Sequence, residues 1–273
     1  MVRLELDSRP ESPALVRAAL TGLAELLEFD SELFQDLRTA VSEACNNVAM
    51  HAYDRGSGPL LVGLEIAPGG VEVMVRDWGG GIHELDTSED RMGVGLAVIS
   101  ALADRAEFIS APDGGTEVRM TFTGRGADIP ALEAPLNGGP AVEVPVRLAG
   151  DVIVTLSPVQ LLGGVLGRVL RVLAARTHFS IDRLLDVYLV TDAVASFVNS
   201  AASGAGITFA VMGAQRRLEL TVGPVRAGSG ASLQDAGLFN QPGSPLARLV
   251  GELAVEPVDG FELLRVVVEE RRD

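Results

Sequence analysis

Apolar residues recur at helical spacing in two stretches near the start of the chain. Leu15, Val16, Ala19, Leu23, Leu26 and Leu27 follow Ser12-Pro13, a serine and proline suited to an N-cap and first turn. Leu33, Leu37, Val41, Ala44, Val48 and Ala52 then predict a second helix over about 31–53. Alternation of period two predicts strands at Leu60–Ile66 and Val71–Arg76. A short opening strand at Val2–Leu6, a helix near Gly95–Leu102 and strands at Ala106–Ser110 and Glu117–Thr123 complete a block of 1–125.

The same order returns after a Gly/Pro/Ala-rich stretch at 124–150, which reads as a linker with a short strand at its end. Ser157-Pro158 opens a helix through Ala175, as Ser12-Pro13 does. The stretch from Phe179 to Ala202 matches the one from Phe29 to Ala52. Strands are predicted at Ile207–Met212, Arg217–Val222, Ala254–Pro257 and Phe261–Glu269, with a helix at Pro245–Leu253. A recurrent order at a nearly fixed offset predicts a duplication: block 1–125, linker 126–148 and block 149–273.

Composition removes several function classes. All 22 basic residues are arginine, so a P-loop lysine, a protein-kinase strand lysine and Schiff-base chemistry are excluded. One cysteine and three scattered histidines argue against a disulfide and against zinc. The net charge of −15 is concentrated in the first 130 residues, with 22 acids against 10 arginines. Such a balance disfavours direct nucleic-acid binding and favours a basic protein partner. The polar start and the lack of a long apolar run predict a cytoplasmic protein with no membrane segment.

Three clusters carry candidate chemistry. Glu43 and Asn47, one helical turn apart, share a face that His51 extends. The carboxylate suits proton transfer, and the amide oxygen suits a hard cation such as Mg²⁺. A strand then runs into Asp77, followed by Trp78 and the glycines Gly79 to Gly81 before Ile82. An acid at a strand end can accept from an exocyclic amine, while glycines let backbone approach a ligand. Last, Arg91-Met-Gly93-Val94-Gly95-Leu96 leads into a helix whose amides can face phosphate without lysine. Trp78 reads as cover for the turn or a shield for the base, His51 as a surface residue or a neighbour of phosphate, and Cys45 as a packing residue.

Together and in this order, EACNN, DWGGG and GVG resemble the N, G1 and G2 boxes of the GHKL ATPase superfamily. Gly115-Thr116 before a strand fits the family's later threonine position. The resemblance covers 1–125 and implies an α/β fold (an α+β sandwich), a mixed sheet covered on one face by helices, with a lid at 82–92. The phrases SEACNNVAMHAY and RMGVGL look like the anti-sigma-factor serine kinases of the RsbW/SpoIIAB type. That resemblance implies ATP and Mg²⁺ as cofactors, and a sigma factor and a STAS-domain anti-anti-sigma protein as partners. It further implies Glu43 as base toward a serine hydroxyl, Asn47 on Mg²⁺, Asp77 on adenine, and Arg91 with the glycine turns at the phosphates. The rivals are a non-catalytic ATP-dependent switch and an ATPase of the gyrase, Hsp90 or mismatch-repair kind, whose transducer domains this sequence lacks.

The second block lacks these residues. Asp192 stands for Glu43, Ser196 for Asn47, Gly223 for Asp77 and Pro245-Leu-Ala for the GVG turn. It is expected to be a degenerate copy that forms an intramolecular pseudo-dimer or supports a homodimer.

Overall fold

The computed structural model describes residues 1–27, 29–54, 56–67, 69–80, 94–123, 147–231 and 249–270. Two compact units lie on either side of residues 124–146. Residues 81–93 and 232–248, which hold Gly81, Ile82, Arg91, Gly93, the expected lid and the first four residues of the expected helix at 245–253, fall outside the described residues.

The first unit contains β1 (Val2–Asp7), α1 (Ser12–Leu27), α2 (Ser31–Asn47), β2 (Pro59–Ala67), β3 (Gly70–Asp77), α3 (Val94–Leu102), β4 (Arg105–Ser110) and β5 (Thr116–Thr123). Its strands lie in the order β4-β5-β3-β2-β1. Every described pairing in it is antiparallel, where a mixed sheet is expected from sequence. The reason is topological: β5 inserts between β3 and β4, so the strands joined through α3 run the same way without touching.

Alternation sorts the strands into two faces. Leu4, Val62, Val75 and Val118 form one cross-strand row of buried residues. Helix α2 packs on β3 and β5, and α3 packs on α2 and β4. Asp30 caps α2, its Oδ1 accepting from the amides of Glu32 and Leu33 at 2.9 and 3.1 Å. Ser12 works differently from the expected cap: its hydroxyl accepts from Arg9 N–H and donates to Asp7 O, tying α1 back to β1. The long helix expected over 31–53 also changes character, since Val48–Ala52 widens into a π-helical turn.

The second unit contains β6 (Val152–Leu156), a 3₁₀ turn at Val159–Leu161, α4 (Leu162–Arg176), α5 (Ile181–Ala201), β7 (Ile207–Ala214), β8 (Arg217–Arg226), β9 (Glu252–Val258) and β10 (Phe261–Glu269). Its strand order is β6-β7-β8-β10-β9, again antiparallel in each described pair. Leu253, expected at the end of a helix, belongs to strand β9.

Helix α5 has 21 residues and is long and apolar enough by composition to cross a membrane, although no uninterrupted apolar run predicts this. Its buried face, which includes Val187, Val190, Val194 and Val198, packs against α4 and β8. Ser180 caps it by accepting from the amide of Arg183. Arg183 is buried and fully engaged, with Asp186 and the carbonyls of Leu249 and Glu269 as acceptors.

Candidate functional site

The strand β3 carries its acid on the covered side of the sheet. Val71, Val73 and Val75 alternate inward, and Asp77 continues their series at the strand's end, only 3% exposed. A buried carboxylate needs hydrogen-bond donors. Asp77 Oδ1 accepts from the amides of Gly79 and Thr116, at 2.8 and 3.2 Å. Its other oxygen has no partner among the described residues, and Asp77 lines a cavity of about 250 Å³.

Close backbone approach builds the wall behind that acid. The π-turn at Val48–Ala52 brings the Ala52 carbonyl to Gly80, whose N–H donates to it at 2.9 Å. A methyl group on Gly79 would lie 1.9 Å from the same carbonyl oxygen, so only glycine fits. Gly115 has φ +82°, and its added Cβ would sit 2.1 Å from the Asp77 carbonyl oxygen. Tyr53 fixes the turn from outside: its hydroxyl accepts from the amide of Trp78 at 3.0 Å and donates to Pro59 O at 2.6 Å. Burial, ahead of the nearby Asp77 and Asp7 charges, pushes the Tyr53 phenol up. Trp78 packs beneath the Arg76 guanidinium, 4.8 Å from the ring centre.

Helix α2 supplies the opposite side. Glu43 and Asn47 are half-buried on the face turned to α3. Gly95, in the first turn of α3, is the point of contact: a Cβ there would meet Asn47 Oδ1 at 3.0 Å and Glu43 Oε2 at 3.4 Å. The first and third sequence clusters are thus brought together. Asn47, Asp77, Gly95, Leu96 and Thr116 line the same cavity, with apolar walls from Val48, Val75, Phe108 and Val118. Val94 lies at the start of α3 with most of its surface exposed. His51 also lines the cavity, and it is exposed. Cys45 points into the core, where burial pushes its thiol up to about 12, so it is no nucleophile.

A cavity with mainly apolar walls and one buried acid suits a base that carries an exocyclic amine. At about 250 Å³ the cavity is slightly below the roughly 300–1,000 Å³ of small-molecule sites, enough for part of a nucleotide. Glu43 and Asn47 are suited to proton transfer and to Mg²⁺ at the end of the slot beside α3. Sequence reasoning missed Phe108 as a wall, because a phenylalanine in a strand carries no functional signal. It also missed the π-turn and Tyr53, for which period alone gives no cue.

Counting from the helix caps corrects the second block. Glu43 and Asn47 are the thirteenth and seventeenth residues after Asp30, and the residues so placed after Ser180 are Ala193 and Phe197. Asp192 and Ser196 instead face solvent. Ranking by chemical similarity favours Asp192, but the buried positions of the two helices align only at an offset of 150. The strand correspondence shifts too. Gly223 pairs with Thr208, and the next residue, Pro224, occupies the position of Asp77 relative to the neighbouring strand.

The histidine kinase-like ATPase domain family matches residues 6–122. An anti-sigma F factor of Caldanaerobacter subterraneus subsp. tengcongensis is 31% identical over 136 residues, which is 46% of this chain and 95% of that protein. A serine-protein kinase RsbW of Bacillus pumilus is 28% identical over 142 residues, 46% of this chain and 87% of that protein. A second RsbW, from Oceanobacillus iheyensis, is 32% identical over 118 residues, 38% of this chain and 75% of that protein. With these relatives covered over 75% to 95% of their length, and with identities of 31% and 32% among them, the chain belongs to the anti-sigma-factor serine kinases of the histidine kinase-like ATPase family.

Proposed function

We propose that the first unit binds ATP-Mg²⁺ and phosphorylates a serine of a STAS-domain anti-anti-sigma protein, and that the chain thereby controls sequestration of a sigma factor. The observation that carries this is Gly95, which packs against both Glu43 and Asn47 at the mouth of a slot ended by Asp77. Bound Mg²⁺ would neutralise the phosphate charge, and the Asn47 amide oxygen is the group to hold it. Asp77, with one oxygen committed to backbone amides, offers the other to the adenine amine. Glu43 takes the proton of the serine hydroxyl as its oxygen bonds to the γ-phosphorus and the bond to the β-phosphate oxygen breaks. Arg91, Gly81, Ile82 and Gly93 keep the phosphate roles that the motif implies, and Thr116 steadies Asp77 through its amide.

The second unit, on this reading, is a degenerate copy. Its matching strand order supports common descent, while Ala193, Phe197 and Pro224 leave no acid, amide or aspartate at the three decisive positions. Its role is to bind a partner, or to stand in for the second subunit of a dimer.

Transfer of labelled phosphate from ATP to a matching STAS protein tests the kinase. Glu43→Ala should abolish transfer and leave ATP binding intact. Undiminished transfer would remove Glu43 as the base. Binding without transfer by the native protein would leave the non-catalytic switch.

A further inference from the structure

The outward face of α5 is apolar where that of α2 is polar. Ile181, Leu185, Tyr188 and Leu189 are 80%, 66%, 49% and 50% exposed, and their spacing of i, i+4, i+7 and i+8 sets them in one stripe. Counted from the caps, the same positions of α2 hold Ser31, Gln35, Arg38 and Thr39, all exposed. The inner faces of the two helices agree, so the fold does not require the stripe. Four large apolar side chains gathered on one solvent face mark a contact surface.

We infer that this stripe docks an amphipathic helix of another protein, apolar on its inner side and basic at its edges. A helical ridge receives another helix through its grooves. Asp182 and Asp192 flank the stripe, both exposed and without an ion-pair partner among the described residues. Ten residues of helix set them about 15 Å apart, which fixes the spacing of the cations they would meet. On the other edge Arg171 is already engaged, 5.7 Å from the Tyr188 ring centre and donating to Gly167 O. A second copy of this chain fits poorly: a twofold contact brings the same stripe with the same two acids, and the arginine of α5 between them, Arg183, is buried. The same two acids, on a chain of net charge −15, repel an anionic membrane. The inference uses only the register of the two helices and stands whether or not the first unit is a kinase.

The test uses the full chain and a fluorescent helical peptide of about 18 residues, long enough to hold a helix. It carries leucines on one face and arginines spaced to reach both acids, and a twin carries glutamates in their place. Anisotropy should show the arginine peptide binding at least ~10-fold tighter to the native chain than to I181S/L185Q/Y188R/L189T, which borrows the residues of α2. D182N/D192N should weaken it by roughly 5-fold and flatten its salt dependence. Should the fourfold variant melt early, L185Q alone with an unchanged melting curve serves instead. Equal affinity for native and variant chains, or for the two peptides, overturns the proposal. So does a native dimer that the variant dissolves in sedimentation, or flotation with anionic vesicles that the variant loses.

Discussion

Helices α2 and α5 begin from the same kind of cap, bury the same inner positions and join strands of the same order, yet they differ on their other faces. Leu37, Ala40, Val41, Ala44 and Cys45 face the core of one unit, and Val187, Val190, Thr191, Val194 and Ala195 that of the other. What differs is the helix edge, half-buried Glu43 and Asn47 against half-buried Ala193 and buried Phe197, and the outer face. The fold is held by the inner positions alone, and the chemistry sits where folding asks little. One architecture can therefore carry different residues on that edge, and in α5 the seventeenth position after the cap holds an apolar residue, Phe197.

The contrast would break most visibly at the aspartate. Asp77→Asn keeps an oxygen for the amides of Gly79 and Thr116 but can turn a donor toward the purine amine. Affinity for ATP-Mg²⁺ should fall more than ~100-fold by titration calorimetry, because a donor facing a donor leaves both unsatisfied. Pro224→Ala should leave both affinity and a stoichiometry of one site per chain unchanged. Two sites in the native protein would mean that the second unit still binds nucleotide.

Exchanging residues at the seventeenth helix position sharpens the same point from the side of stability. Phe197 is 8% exposed, so Phe197→Asn removes a buried ring and buries an amide, at about 3 kcal/mol in denaturant melts. Asn47→Phe should shift the midpoint little while eliminating nucleotide binding, since the ring would enter the slot beside Gly95. If both substitutions destabilise equally, Asn47 is a structural residue.

Most of the fold was legible because its period survives in both units. The strand Phe261–Glu269 coincides with its predicted bounds, most others differ by a residue or two, and β8 runs four residues beyond the predicted Val222. Asp77 was legible twice over, from its motif and from the Val71, Val73, Val75 alternation that places it on the buried face. The antiparallel sheet was not, because inserting β5 between β3 and β4 is a long-range choice that no local pattern records. The register of α5 was divided: the match of Phe179–Ala202 to Phe29–Ala52 has an offset of 150, while an acid at 192 attracts an alignment with Glu43 at 149, and burial and the cap at Ser180 decide for 150. The site's rear wall depends on the Ala52 carbonyl meeting Gly79 and Gly80, a backbone event without a side-chain signature.

Capping offers a comparison in which the units should agree. Asp30→Ala should cost about 1 kcal/mol, as loss of a side-chain acceptor at an N-cap does. Ser180→Ala should cost slightly more, because its hydroxyl also donates to Glu270 at 3.0 Å. Thermal melts of the single variants measure both. An unchanged midpoint for either would remove the caps as the fixed points from which the helices are aligned.

The smallest effect concerns acid. Glu219 in β8 receives the Arg265 guanidinium at 2.6 Å, and that hydrogen bond holds its carboxyl below the usual glutamate range. Its folded pKa then lies under its unfolded one. The stabilisation is complete above the unfolded value, near 4.3 for glutamate, and disappears as pH falls through the folded value. The matching position of β3 is Glu72, which has no ion-pair partner among the described residues. Arg265→Met should therefore flatten the acid limb of the second unit's stability below pH ~5, by a small amount, because the pair is partly exposed to solvent. Urea midpoints taken at falling pH, with a fluorophore placed in one unit at a time, separate the two, and equal slopes for native and Arg265→Met chains would show that the pair contributes nothing.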